Sequence, residues 1–137
     1  MSTVIRPEIS KKNKYWIDKH RHYELKHFCL QYPTWKKEYF SSPSISLSTI
    51  NKVLKRNIHN DPTFKEVMRK EKYLERIRLI ERVAVETDYE LYEYILKAVT
   101  EGLSYSYLKS KLDIPCGKDL YYYRYRRFFW LLDKLRD

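Results

Sequence analysis

Apolar residues along this chain fall in long runs at steps of three and four, which predicts a protein built of helices. From about Lys14 to Leu30, Trp16, His20 or Tyr23, His27 and Leu30 recur at helical steps, with Ile17, Leu25 and Phe28 on a neighbouring strip. Pro33 interrupts that pattern and opens a second, short helix to about Phe40, since proline is tolerated in a first turn. Ser41-Ser42-Pro43-Ser44 reads as a linker, and a weak helical stretch covers Ile50–Leu54. Asn60-Asp61-Pro62 is a helix-start signal for one long helix from Pro62 to about Glu86. On it Tyr73, Ile77, Ile80 and Ala84 step by four, three and four, a seam that packs within the chain or, as the alternative, on a twin in a homodimer. Asp88 is a capping residue for a further helix over Tyr89–Thr100, whose broad apolar face comprises Leu91, Tyr92, Ile95, Leu96 and Val99.

The end of the chain carries the most specific pattern. Gly102 stops one helix, Ser104 caps a short one through Leu112, and Ile114-Pro115-Cys116-Gly117 forms a tight turn with Ile114 as its buried plug. A final helix then runs from about Lys118 to near the C-terminus. Two helices across so short a turn are the unit that many proteins set into the DNA major groove. On the last helix Tyr121, Tyr125, Phe128, Leu132 and Leu135 fall on one side, with Phe129 at its edge. Asp119, Tyr123, Arg126, Arg127, Trp130 and Lys134 fall on the other, and Tyr122 sits on the flank near Arg126. The expected class is therefore all-α: a basic helical segment over residues 1–40, a Ser-rich linker and weak helix over 41–61, and a helical domain over 62–137. Its helix-turn-helix covers about residues 89–137.

Charge sharpens this. The net charge is +10, so an acidic partner is expected. Residues 1–40 hold nine Lys or Arg against four acids and residues 118–137 six against three, whereas residues 89–117 hold three against four. A reading helix plus a second basic element touching backbone fits that distribution. Lys118, Tyr122, Tyr123, Arg126 and Arg127 are the expected groove and phosphate contacts. Arginine can bond guanine in two-pronged fashion, and tyrosine hydroxyls can bond phosphate oxygens. Ser104, Tyr105 and Lys109 are candidates for backbone contacts from the preceding helix, and Lys11, Lys12, Lys14, Lys36 and Lys37 for nonspecific phosphate attraction.

Other chemistry is thinly represented. Two cysteines, Cys29 and Cys116, without a signal peptide point to a reducing cytoplasm, and no apolar stretch is long enough to span a bilayer. Only two glycines are present, and no phosphate loop or nucleophile elbow occurs, so neither enzyme activity nor a cofactor is expected. His20, His22, His27 and Cys29 form the one cluster with metal-ligand chemistry. His20 and His27 lie two turns apart, as do His22 and Cys29, so no metal is expected.

Gly102-Leu103-Ser104-Tyr105, Leu108, Leu112, Ile114 and Gly117, followed by the basic helix, resemble the fourth conserved region of bacterial sigma factors. The stretch from Glu90 to Gly102, the Ile114–Gly117 turn and Phe128-Phe129 are similar to the RinA and ArpU type regulators of phage late transcription. So are Tyr23-Glu24-Leu25-Lys26, Gln31-Tyr32-Pro33 and Trp35-Lys36 at the front. The resemblance implies a double-stranded-DNA-binding regulator of phage or mobile-element genes, acting in the bacterial host cytoplasm and touching RNA polymerase. Asp119 stands where the sigma pattern usually has an apolar residue, so the docking geometry of that family does not carry over unchanged. Two other classes fit the same residues: a protein-interaction module or inhibitor on a helix-turn-helix scaffold, and the DNA-recognition subunit of a phage packaging machine.

Overall fold

A computed structural model describes residues 12–41 and 62–136. Among these residues every regular element is a helix: α1 (Lys19–Leu30), α2 (Tyr32–Ser41), α3 (Pro62–Thr87), α4 (Tyr92–Glu101), α5 (Tyr105–Leu112) and α6 (Lys118–Leu135). The all-α expectation holds. The linker from Ser42 onward, the weak helix at Ile50–Leu54, the Asn60-Asp61 start signal and Lys11 lie outside the described residues.

The long helix α3 is the spine. Ile77, Ile80, Val83 and Ala84 on its C-terminal half are buried, and α3 packs on α2, α4 and α6. The Tyr73–Ile77–Ile80–Ala84 seam therefore closes on the chain's own helices, with Tyr73 half-buried at its outer end. The α2–α3 contact is fastened by the Tyr32 hydroxyl, which donates to Glu81 Oε2 at 2.5 Å, and by the Arg76 guanidinium 5.3 Å from the Trp35 ring centre. One continuous core joins Ile17, Leu25, Phe28 and Trp35 of the front segment to Ile95, Leu108, Ile114, Phe128 and Leu132 of the rear.

The first helix departs from expectation in two ways. It begins at Lys19, not near Lys14, because Asp18 is its N-cap and accepts from the His20 amide at 3.0 Å. Residues 12–17 instead form a short non-helical strap, with the Tyr15 amide donating to Asn13 Oδ1 and the Trp16 amide to the Asn13 carbonyl. The buried face is also different: His22, Leu25, Phe28 and Cys29 point inward, while His20, His27 and Leu30 are on the outside. The inward histidine packs its ring 4.8 Å from Phe129, with Tyr125 at 6.3 Å. An aromatic wall suits a neutral imidazole, which explains why a histidine takes a position that a periodicity argument reserves for an aliphatic.

The next helix also starts later than Tyr89, at Tyr92. Asp88 Oδ1 accepts from the Glu90 and Leu91 amides at 2.9 and 3.0 Å and holds a turn before it. Gly102 ends this helix in the left-handed region at φ 70°, and its amide and that of Leu103 both return to the Ala98 carbonyl. Ser104 caps α5 through the Tyr107 amide at 3.2 Å. Asp113 closes α5 at φ 53°, a left-handed conformation that aspartate tolerates better than most residues. Ile114 then drops into the core, fully buried, with its amide bonded back to the Leu108 carbonyl at 3.0 Å.

Removing that plug should be costly. Ile114→Ala is expected to lower unfolding free energy by about 2–5 kcal/mol, read from urea midpoints. A second expectation concerns pH. Burial, and then the Lys26 charge, push His22 down to about 4. The unfolded chain therefore binds a proton from about pH 6.5 downward that the folded chain refuses until pH approaches 4. This stability is fully present above pH 6.5 and lost as pH falls toward 4, about 2 kcal/mol of it between pH 7 and pH 5. His22→Leu should flatten the dependence of the urea midpoint over that window; an unchanged slope would assign it to other groups.

Candidate nucleic-acid interface

The turn between α5 and α6 is built to hold two helices at a fixed angle. Ile114 anchors it from below, and the Tyr105 hydroxyl donates to the Cys116 carbonyl at 2.7 Å from above. Lys109 Nζ approaches the Ile114 carbonyl at 3.4 Å. The Tyr105 ring packs against Tyr121 and Tyr122, at 5.6 and 6.3 Å between centres, so α5 rests on the start of α6 through aromatic contacts. Gly117 precedes α6 without a capping side chain.

The inner face of α6 is close to expectation: Tyr121, Tyr125, Phe128, Phe129 and Leu132 are buried. Leu135 is not; it is 41% exposed, because the helix ends there and Arg136 takes over the docking. Arg136 lies 4.1 Å from the Phe28 ring centre and donates to Glu24 Oε1, while Arg21 donates to Asp133 Oδ1 and to the Arg136 carbonyl, both at 2.7 Å. This network clamps the end of α6 to α1.

The outer face is less open than the sequence suggests. Lys118 is exposed, as is Asp119, and Tyr123 is 43% exposed. Tyr122 is turned in: its hydroxyl is buried with no hydrogen-bond partner among the described residues, so it offers nothing to a groove in this conformation. Arg126 and Arg127 are half-buried, and their Nε atoms are likewise buried and unpartnered. Burial lowers Arg126 from the ordinary arginine value, the mark of a guanidinium that has lost hydration. Of the backbone-contact candidates, Ser104 and Tyr105 spend their side-chain oxygens on the cap and the turn. Lys109 is exposed. Lys14 and Lys36 sit over the rings of Tyr15 and Tyr32 at 5.5 and 5.4 Å, and Lys37 is exposed on α2. Lys12 is exposed in the strap.

Two participants escape a reading of the sequence. Arg124 donates to Asp88 Oδ2 at 2.9 Å and lies 5.6 Å from the Tyr123 ring centre, tying α6 to the turn before α4. Tyr15, only 4% exposed, lies across α6: its ring meets Tyr123 at 5.2 Å and Trp130 at 5.3 Å, both edge-on, and its hydroxyl accepts from Arg127 Nη1 at 3.2 Å. Burial raises the Tyr15 hydroxyl, but hydrogen bonds with Tyr123 and Arg127 and the charges of Arg127 and Lys14 outweigh it, leaving the group below the ordinary tyrosine value. Asp18, a capping residue type just before Lys19, is the one local signal that residues 12–17 are not helical.

Among the described residues, no three His, Cys, Asp or Glu side chains come together as a metal site, and no helix is long and apolar enough to cross a membrane. Cys29 is buried and Cys116 half-buried; both are unpaired thiols, raised by burial above the usual cysteine value. Comparison with protein-family models, with curated proteins and with solved structures finds no match. The hydroxyl bond that holds the turn can be tested directly. Tyr105→Phe keeps the ring and loses the bond to Cys116, and is expected to cost about 1 kcal/mol in urea unfolding.

Proposed function

We propose that the protein is a regulator of phage or mobile-element transcription that binds double-stranded DNA through α5, the Ile114 turn and the start of α6. The observation that carries this reading is the open first turn of α6, where Lys118, Asp119 and then Tyr123 are exposed immediately after a tight, plugged turn. Helix-turn-helix proteins read bases with the N-terminal residues of the second helix, which is the part of α6 left uncovered. Lys118 pairs with phosphate or a guanine edge, and Asp119 accepts from a cytosine amino group. Lys109 and Lys111 on α5 are exposed cations beside this end, and the net charge of +10 supplies long-range attraction. The likeness to sigma factors and to RinA and ArpU type regulators points the same way and suggests RNA polymerase as a second partner.

A protein-interaction role is the second reading, and one observation favours it: the middle of the outer face of α6 is already occupied by Tyr15, as a face made for side chains would be.

Fluorescence anisotropy with a mixed-sequence duplex and with DNA from near the protein's own gene, at low and moderate salt, separates the two. Tighter and less salt-sensitive binding to the second DNA is expected. Lys118→Ala should weaken every sequence alike and reduce the salt slope by about 1, whereas Asp119→Ala should relax preference at one base pair. Absence of binding to either DNA at low salt would sink the duplex reading and favour a protein partner.

A further inference from the structure

The strap over residues 12–17 lays Tyr15 on the outer face of α6. A helix with its side chains is about 10–12 Å across and the major groove about 12 Å wide, so a bare helix fits and a helix with a second chain segment on its outer face does not. Tyr15 lies on that face beside Tyr123, Arg127 and Trp130. With the strap in place, α6 can offer a groove only its first turns. The stretch from Tyr123 to Trp130 is held off.

Tyr15 joins the strap to α6. Tyr15 is buried yet stands outside the continuous core, which the chain re-enters at Ile17. The turn at Asn13, closed by the Tyr15 and Trp16 amides, keeps the segment curled over the helix. Behind Ile17, Asp18 starts α1. The Tyr15 side chain can therefore swing from its seat while Ile17 stays in the core and Asp18 keeps its cap. Arg127 is a cation in a poor position: its Nη1 bonds a neutral phenol, and its Nε is buried with no partner among the described residues. A phosphate would supply a charged acceptor for the same guanidinium, a stronger bond than a phenol oxygen gives. Departure of Tyr15 would also bare the rings of Tyr123 and Trp130, with Lys134 4.4 Å from the Trp130 ring centre.

We infer that residues 12–17 form an autoinhibitory strap, Tyr15 standing in for a DNA phosphate at Arg127 and leaving when α6 enters the groove. The inference rests on the duplex-DNA reading above. A strap that must open taxes the apparent affinity by the fraction of molecules already open, and deleting its anchor removes that tax.

The test compares the full chain with Tyr15→Ala and Tyr15→Phe on one mixed-sequence duplex, with circular-dichroism melting to confirm that each variant folds. Tyr15→Ala is expected to bind about tenfold tighter at matched salt, with the salt slope steeper by about one phosphate contact. Tyr15→Phe keeps the ring, loses the hydroxyl's bonds with Arg127 and Tyr123, and should gain a smaller, severalfold increase; if Tyr15→Ala does not fold, this variant decides. Hydrogen exchange of the Tyr15 and Trp16 amides should quicken when DNA is added. Unchanged or weaker binding by the variants while the parent binds would overturn the strap and leave the DNA reading intact, as would amides that stay protected. Binding by neither parent nor variants would overturn both.

Discussion

The proposed function depends, among the described residues, on the burial of one side of α6. Tyr121, Tyr125, Phe128, Phe129 and Leu132 make it the most aromatic surface in the core, and α1 and α3 are packed against it. Because that side is fixed, the opposite side is fixed too, and with it the direction in which Lys118, Asp119 and Tyr123 face. The lock is doubled at the ends: the Ile114 plug and the Tyr105 bond hold the start of the helix, and the Arg21–Asp133 and Arg136–Glu24 pairs hold its finish. Neither ion pair is deeply buried, so each contributes modestly on its own. Their effect is on register, since they act where the helix has run out of apolar residues.

Much of this was legible in the sequence, and the reason is locality. Gly102, Ser104 and Ile114 announce their roles through contacts a few residues away, and the apolar steps on α3 and α6 are strong enough to read by period alone. What was not legible rests on contacts between distant parts of the chain. Tyr15 and Arg127 are 112 positions apart, so nothing near Tyr15 signals that it belongs on α6. His22 likewise owes its burial to Phe129, and a scale that ranks histidine as polar puts it on the wrong side of α1. Tyr122 fails for a different reason: at the flank of a helix, the neighbouring ring of Tyr105 decides whether it turns in or out. Leu135 continues the apolar period past the last residue that has anything to pack on.

Arginine and lysine divide the electrostatic work. Arg21, Arg69, Arg82, Arg124 and Arg136 all pair with carboxylates of this chain, and Arg126 and Arg127 are half-buried. Lys118, Lys109, Lys111 and Lys37 are exposed. Arginine forms fixed, directional bonds and is the better internal fastener, while lysine keeps a hydrated charge on a flexible stem. An excess of positive charge presented mainly by lysine suits attraction to a phosphate backbone more than two-pronged recognition of a base. On the proposed DNA reading, sequence preference would come from few groups: Asp119, Tyr123 and whatever arginine the fold can release.

Arg127 is the arginine placed to be released. Arg124 would have to give up Asp88, and with it a tie between α6 and the turn before α4, which would loosen the scaffold that aims the helix. Arg126 has a buried Nε with no hydrogen-bond partner among the described residues. Arg127 is instead bonded by Tyr15, a ring that stands outside the core cluster. The same feature that makes the outer face look ill-suited to a groove therefore identifies which residue a groove would recruit, and at what cost in strap contacts.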